Sequence, residues 1–319
     1  MRDEALALLD SLTGEQRAAI AVPDDRRTAW FYTPNDHGGL PLSAMTPAQH
    51  DLVFRLLAAA LAPAAYATAC AIIGLENVLA REEDFRGGGF AGRDRLRDPG
   101  LYWVAVFGDP ASGDWAWRIG GHHLSIHRTF AGGELVAATP SFFGADPADT
   151  RLLGGGWLRP LAAYEDLGRA LVHAHPDAVV TGDAPPDLAS GNRPALSEGD
   201  APMPPFRLMQ LGEDDPPAVD PAIPLTRAPR GVASPDLQPL LDAYAEQVPG
   251  LSLAAGGFRF LWAGGVERGE PHYYRLQSDD WLIEYDNTQR DVNHIHTVLR
   301  HWTNDFGADV LAEHHAAHH

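Results

Sequence analysis

The sequence predicts an α+β fold: a helical N-terminal region, then an antiparallel β-sheet core with flanking helices and long loops rich in proline and glycine. Three observations predict it. Residues 1–85 carry apolar positions at helical spacing. Residues 101–139 and 258–300 hold short aromatic and β-branched runs parted by turn residues. Helical and strand-like runs are segregated along the chain, which argues against a wound parallel sheet.

Each element has its own signal. Thr46-Pro47 ahead of an apolar-periodic stretch predicts a capped helix to about Ala60, and Pro63 to Arg81 reads as its partner. The uncharged run Leu56 to Leu75 has about the length of a membrane span. It is mostly alanine and Pro63 interrupts it, so two packed helices are expected. Arg86 to Gly100 places Gly87, Gly89 and Gly92 at dinucleotide-fingerprint spacing. No apolar strand precedes it and no apolar helix follows, so it reads as a loop. Strands follow at Leu101 to Phe107, Trp115 to Phe130 and Leu135 to Thr139, joined by Gly108-Asp109-Pro110 and Gly132-Gly133 as a meander. One helix, Leu161 to His173, leads to a long irregular crossing over residues 183–235. A helix near Pro235 to Gln247 introduces the strands Phe258 to Ala263, His272 to Gln277, Trp281 to Asp286 and His294 to Arg300, and Asp309 to His318 reads as a terminal helix. Either strand set alone leaves an apolar face to cover, so residues 1–319 are expected to form a single integrated domain.

Composition removes whole classes of chemistry. All 24 basic residues are arginine, because the 319-residue chain has no lysine; Schiff-base chemistry and a phosphate-loop lysine are excluded. Cys70 is the one cysteine, so disulfides, thiolate zinc sites and iron–sulfur clusters within one chain are excluded too, and it reads as a packing thiol. A formal charge of -19 repels phosphate backbones and anionic membranes, so a small-molecule substrate is expected rather than nucleic acid or lipid. Met1 to Ala21 lacks the pattern of a signal peptide, giving a cytoplasmic expectation. No Gly-x-Ser-x-Gly elbow and no His-Glu-x-x-His motif occurs.

Fifteen histidines remain, and their placement carries the information. His314, His315, His318 and His319 form a polar tail that reads as a solvated helix end. In Gly120-Gly121-His122-His123-Leu124-Ser125-Ile126-His127, a strand would put His123, Ser125 and His127 on one face and His122, Leu124 and Ile126 on the other. His294 and His296 share a face about seven Å apart by the strand rise. Upstream, Glu284 and Asp286 alternate with Ile283 and Tyr285, and Asn287 to Asn293 can return the chain as a hairpin that lays two carboxylates beside two imidazoles. Such a set suits a divalent transition metal: iron, copper, manganese or zinc. The expected ligands are His294, His296, His123 and Glu284, and the expected catalytic residues Glu284, Asp286 and His122. Asn287, Asn293 and Asp305 could orient the imidazoles, and Trp262, Tyr273, Tyr274, Trp281 and Tyr285 could wall a pocket, though such aromatics are more often core. A hydrogen-bonded polar network that fixes strand register is the bland alternative for the whole cluster.

Several segments together resemble a known family. Trp117 to Ser125 with its Gly-His-His-Leu, Thr139-Pro140 to Gly144, Gly156-Trp157-Leu158-Arg159-Pro160-Leu161, Tyr273-Tyr274-Arg275, Glu284 to Thr288, Asn293-His294-Ile295-His296-Thr297 and Asn304-Asp305-Phe306-Gly307 are similar to the bacterial family catalogued as domain of unknown function 3500. The resemblance spans nearly the whole chain and implies one integrated fold. It marks the histidine and acid segments as the site but implies no particular activity. At one position the chain departs from the family pattern: His301, not an acid, follows Arg300, which bears on metal or substrate preference.

The function expected is a metal-dependent oxidoreductase acting on a small organic substrate. The alternatives are a zinc- or manganese-dependent hydrolase and a non-catalytic metal- or ligand-binding protein. Two imidazoles with a carboxylate and open positions fit oxygen activation, while the same donors on zinc fit hydrolysis.

Overall fold

A computed structural model describes residues 1–30, 32–34, 36–85, 97–180, 231–289 and 292–307. The glycine triplet of 87–92, most of the 183–235 crossing, the histidine tail and the expected terminal helix lie outside the described residues.

The N-terminal region is helical, as expected: α1 (Arg2–Ser11), α2 (Gly14–Ile20), α3 (Pro47–Ala60) and α4 (Pro63–Glu82). Local chemistry sets their ends. Thr13 with Gln16, and Thr46 with Gln49, close capping boxes at the starts of α2 and α3. The two glutamines also bond each other, Gln16 Nε2 to Gln49 Oε1 at 3.1 Å, so one cap braces the next. Proline occupies the first turn of both α3 and α4, and the chain is extended at Leu61 and Ala62 between them. The apolar run that imitates a membrane span is therefore two helices. By length and composition α4 alone still passes as a span, and here Ala65, Ala69, Ile72, Ile73 and Leu75 of its length are buried in the main core.

The strands are β1 (Leu40–Pro41), β2 (Tyr102–Gly108), β3 (Trp115–Gly121), β4 (Leu124–Ala131), β5 (Glu134–Ala137), β6 (Ser141–Ala145), β7 (Thr150–Arg151), β8 (Trp157–Leu158), β9 (Val179–Val180), β10 (Arg259–Gly264), β11 (His272–Gln277), β12 (Trp281–Gln289) and β13 (His294–His301). The two expected strand sets join in one 11-stranded sheet, in the order β1-β2-β3-β4-β6-β13-β12-β11-β10-β9 with β5 on β4. Every pairing is antiparallel except β9 on β10. Two features differ from the sequence reading. Trp115 to Phe130 is not one strand but the hairpin β3–β4, turned at His122-His123. The second is β6, which the sequence reading did not contain. It is the seam: it pairs with β4 on one edge and β13 on the other, and so joins the two halves of the sheet.

Alternation along the strands divides the sheet into two faces. One carries Leu124, Ile126, Phe143, Ala145, Ile283, Tyr285, Ile295 and Leu299 into the main core, under α3, α4, α5 (Ala162–Ala174) and α6 (Gln238–Ala245). Burying each such large apolar side chain stabilises the fold by about 1.5–3 kcal/mol. Arg128 points the same way, fully buried, and donates to the carbonyls of Ala60, Gln247, Ala138 and His127 at 2.6–2.8 Å, tying the ends of α3 and α6 to the sheet. The other face is more polar. Phe142, Leu282 and Val298 form a smaller apolar cluster there with Trp30, Tyr32, Trp302 and Phe306. Around that cluster stand the histidines and acids singled out above.

Candidate metal centre

Three imidazoles converge at the seam. Their ring nitrogens, one each from His123, His294 and His296, all lie within 4.8 Å of one another. His123 Nε2 is 2.8 Å from His294 Nε2 and 3.2 Å from His296 Nε2. His296 lies opposite Gly144 of β6 in register, and β13 begins at His294, so alternation puts both rings on the polar face. His123 arrives differently. With Gly121 paired to Leu124, His122 and His123 are the two turn residues of the β3–β4 hairpin, and His123 adopts a left-handed φ of 64°. Histidine occupies that region more readily than bulkier or β-branched residues, at some cost in strain. Hydrogen bonds hold it there: His123 N–H donates to Tyr32 O (2.9 Å), Gly144 N–H to His123 O (2.7 Å) and the Tyr102 hydroxyl to His122 O (2.7 Å).

Gly144 is a requirement of this packing. A Cβ there would meet His123 Cδ2 at 2.9 Å and Ile295 O at 3.0 Å, and the backbone carbonyl cannot give way. Gly144→Ala is therefore expected to displace the His123 ring, and would weaken the affinity of any metal held by the three nitrogens roughly tenfold, in line with the effect of disturbing groups that orient ligands. Competition against a chromophoric chelator would measure this, and unaltered affinity would show that the ring has another resting place.

Around the three nitrogens the environment favours neutral imidazole. Burial, with the neighbouring His122, His294, His296 and Arg97, holds His123 well below the usual histidine range. Burial, with His122, lowers His296 to about 3. Tyr32 and Phe142 pack against the His296 ring at centroid distances of 5.6 and 5.4 Å. Asp146 Oδ2 stands 3.8 Å from His294 Nδ1.

His122 is not in the group of three. Its ring stacks on His123 at 3.7 Å, and its Nδ1 hydrogen-bonds Glu76 of α4 at 2.6 Å. Arg97 Nη1 sits 3.4 Å from both His122 ring nitrogens, while Glu83 receives its Nε and Nη2 at 2.9 and 3.0 Å. His127 lies away from the cluster, 3.3 Å from Ser125 Oγ and edge-on to Phe306.

The acids differ from expectation. Glu284 does lie on the polar face, but it is not among the ligand group. Arg275 Nη2 donates to Glu284 Oε1 at 2.6 Å, and the Tyr273 hydroxyl donates to the same oxygen. Arg275 is directly opposite Glu284 on the adjacent strand, so the carboxylate is taken up by a cross-strand ion pair. Asp286 is directly opposite His296 and only 1% exposed, and neither of its oxygens has a hydrogen-bond partner. Burial raises it to about 7, and Thr288, whose side chain and backbone N–H stand beside the carboxylate, holds it back from a larger rise.

Other expected supports also fall elsewhere. Asn287 Oδ1 accepts from the His294 backbone N–H at 3.4 Å, Asn293 Oδ1 from Asp149 N–H at 2.7 Å, and Asp305 pairs with Arg300 at 2.6 Å; none of these bonds is to an imidazole. Trp262, Tyr274 and Tyr285 are core on the opposite face, Tyr273 serves Glu284, and Trp281 packs against the main core. The aromatic neighbours of the site are Tyr32 and Phe142; Asp146 stands by His294 and Glu76 holds His122. All four were missed. Phe142 does lie within Thr139 to Gly144, one of the segments that carry the family resemblance.

A family profile described as protein of unknown function (DUF3500) covers residues 1–238 and 245–308. No curated protein and no solved structure matches.

Proposed function

We propose that this chain, which belongs to the DUF3500 family, is a metal-dependent enzyme whose ion is held by the Nε2 atoms of His123, His294 and His296. One observation carries the reading: three buried or half-buried imidazoles, from segments more than 170 residues apart, aim nitrogens at one point with N···N separations of 2.8 and 3.2 Å. Two imidazole nitrogens about 2.0–2.1 Å from a tetrahedral ion would stand about 3.3 Å apart. A register-fixing polar network accounts less well for three bases gathered with no carboxylate in the group.

The donor set narrows the metal. Imidazole suits iron, copper and zinc, whereas manganese favours carboxylate oxygen, and no carboxylate joins the group. Bound there, iron or copper would supply one-electron chemistry toward oxygen and a small organic substrate, and zinc would supply Lewis acidity for hydrolysis. Oxidoreductase chemistry is the first reading. Three neutral donors and the apolar wall of Tyr32 and Phe142 favour the less charged state of a redox metal, which is the state that reacts with oxygen. Hydrolysis is the second, because an all-histidine set with an open position also fits catalytic zinc.

The chain's own residues have separable tasks. Burial keeps His123 and His296 unprotonated and ready to ligate. His122, held by Glu76, lies flat on His123 and fixes its ring plane. Tyr32 and Phe142 exclude water from one side of His296.

The test is to load chelator-treated, tag-free protein with iron(II), copper(II) or zinc and measure affinity, oxygen consumption and ester hydrolysis. His294→Ala and His296→Ala are expected to lower affinity by at least roughly 100-fold. Unchanged affinity in both would end the ligand assignment. Hydrolysis on zinc without oxygen uptake on iron or copper would favour the second reading.

A further inference from the structure

The oxygens of Asp286 pose a separate question from the three imidazoles. A carboxyl removed from water with no hydrogen-bond partner costs several kcal/mol, and buried polar groups are nearly always satisfied. Asp286 is an exception: both oxygens are buried without a hydrogen bond of normal geometry, and Thr288 is the donor group beside them. It is not a stray residue in an otherwise apolar core. It lies on the polar face, directly opposite His296, where side chains of paired residues start about 4.5–5.5 Å apart at Cβ. Yet it is not among the convergent donors, which are the three imidazoles. It therefore stands beside the coordination position rather than in it. Its strand neighbour Glu284 is occupied by Arg275 and Tyr273, and the Arg275 guanidinium is turned toward Glu284.

We infer that Asp286 anchors the substrate, accepting a hydrogen bond from a hydroxyl or amine group of a small molecule whose neighbouring oxygen faces His123, His294 and His296. The inference rests on the metal-centre reading and adds the substrate class to it: a small, uncharged or cationic molecule with a hydrogen-bond donor next to a metal-binding oxygen. Three features point to a donor on the ligand. Unpartnered carboxyl oxygens offer acceptor capacity and nothing else in the ionised state. The site is desolvated, so a donor supplied by the ligand would gain a strong bond there. The chain's net charge of -19 repels anions, and a second carboxylate placed against Asp286 would be unfavourable.

Cobalt(II) is the probe for the ion because its visible spectrum reports coordination. Acetohydroxamic acid is the probe for the ligand, since it binds metals through two oxygens and carries an N–H beside them. Azide is the control, a metal ligand with no donor. Full-length wild type, Asp286→Leu and Asp286→Asn would be loaded with cobalt and titrated with each, with thermal unfolding recorded to confirm folding. Asp286→Leu is expected to weaken acetohydroxamate roughly tenfold to 100-fold, the range for a hydrogen bond to a charged group, while cobalt and azide affinities stay as in wild type. The isosteric Asp286→Asn serves if the leucine variant fails to fold, with the same direction expected. Equal acetohydroxamate affinity in wild type and the folded variants would overturn the inference and leave the metal centre standing. A large loss of cobalt affinity would overturn it differently, making Asp286 a ligand. No cobalt spectrum in wild type would remove the metal reading and this inference together.

Discussion

Glu284→Ala is expected to destabilise the protein by about 3–5 kcal/mol, the typical consequence of breaking a buried ion pair by removing one partner. Glu284 is completely buried and Arg275 nearly so, and they meet at 2.6 Å. The variant keeps the Arg275 charge inside the protein and takes away the carboxylate opposite it. It also removes the acceptor of the Tyr273 hydroxyl. The pair sits between β11 and β12, in the half of the sheet that carries His294 and His296, so the loss propagates to the site. Urea denaturation would measure the change. A double variant, Glu284→Leu with Arg275→Met, is expected to recover much of the loss, because apolar residues of similar volume often replace a buried pair at little cost. A shift below about 1 kcal/mol in the single variant, the level of an exposed pair, would show that water reaches Arg275.

The metal-free protein is expected to lose stability steeply as pH falls below about 6.5. Burial holds His123 and His127 well below their ordinary range and lowers His272 to about 4 and His296 to about 3. Each stays neutral in the fold while its unfolded counterpart takes up a proton near pH 6.5. The unfolded state then binds more protons, and stability falls with falling pH through that window, by up to about 1.4 kcal/mol per pH unit for each group. Asp286 acts in the opposite sense. Raised to about 7 from 3.8, it binds its proton more tightly in the fold, so its contribution is full at low pH and is lost as pH rises from about 4 to 7. Four groups against one leave a net loss toward acid of about 4 kcal/mol per unit at most. Urea midpoints at pH 7.5, 6.5 and 5.5 would show it, and a flat profile would mean that these histidines are hydrated. Because His123 and His296 are already neutral in the fold, an ion held by them would displace no protons there, and the gap between chelated and loaded protein should change little between pH 7.5 and 5.5. Burial would put the acid release of an ion held by His123 and His296 below the reference histidine range.

Much of the candidate site was legible because period-2 alternation is strong evidence within a hairpin. It placed His294 and His296 on one face, and Glu284 and Asp286 in phase with each other against Ile283 and Tyr285. The capped start of α3 was equally plain in Thr46-Pro47. What escaped depended on contacts remote in sequence. The hairpin of β12 and β13 by itself puts Glu284 in phase with the two imidazoles. Arg275, opposite it on β11, was the signal to the contrary. The turn at His122-His123 carries no Gly, Asn or Asp, and the hairpin around it looked like one long strand. The five-residue β6 was too short to stand out, although it joins the two halves. Tyr32, Glu76 and Asp146 come from a loop, a helix and a strand end whose approach only the assembled sheet determines.

The pairing of β6 with β13 has a consequence for how the chain finds its fold. His123 is separated from His294 by 171 residues and from His296 by 173. In a denatured chain His294 and His296 are close neighbours, while His123 reaches them only after a very large loop has closed. Contacts of such high order form slowly, because chain entropy is lost before they reward it. An ion would hold the denatured ensemble weakly, by two donors, and the finished sheet strongly, by three. It would act as a latch on a late-closing contact: added metal should raise the unfolding midpoint with concentration and slow unfolding more than it speeds folding.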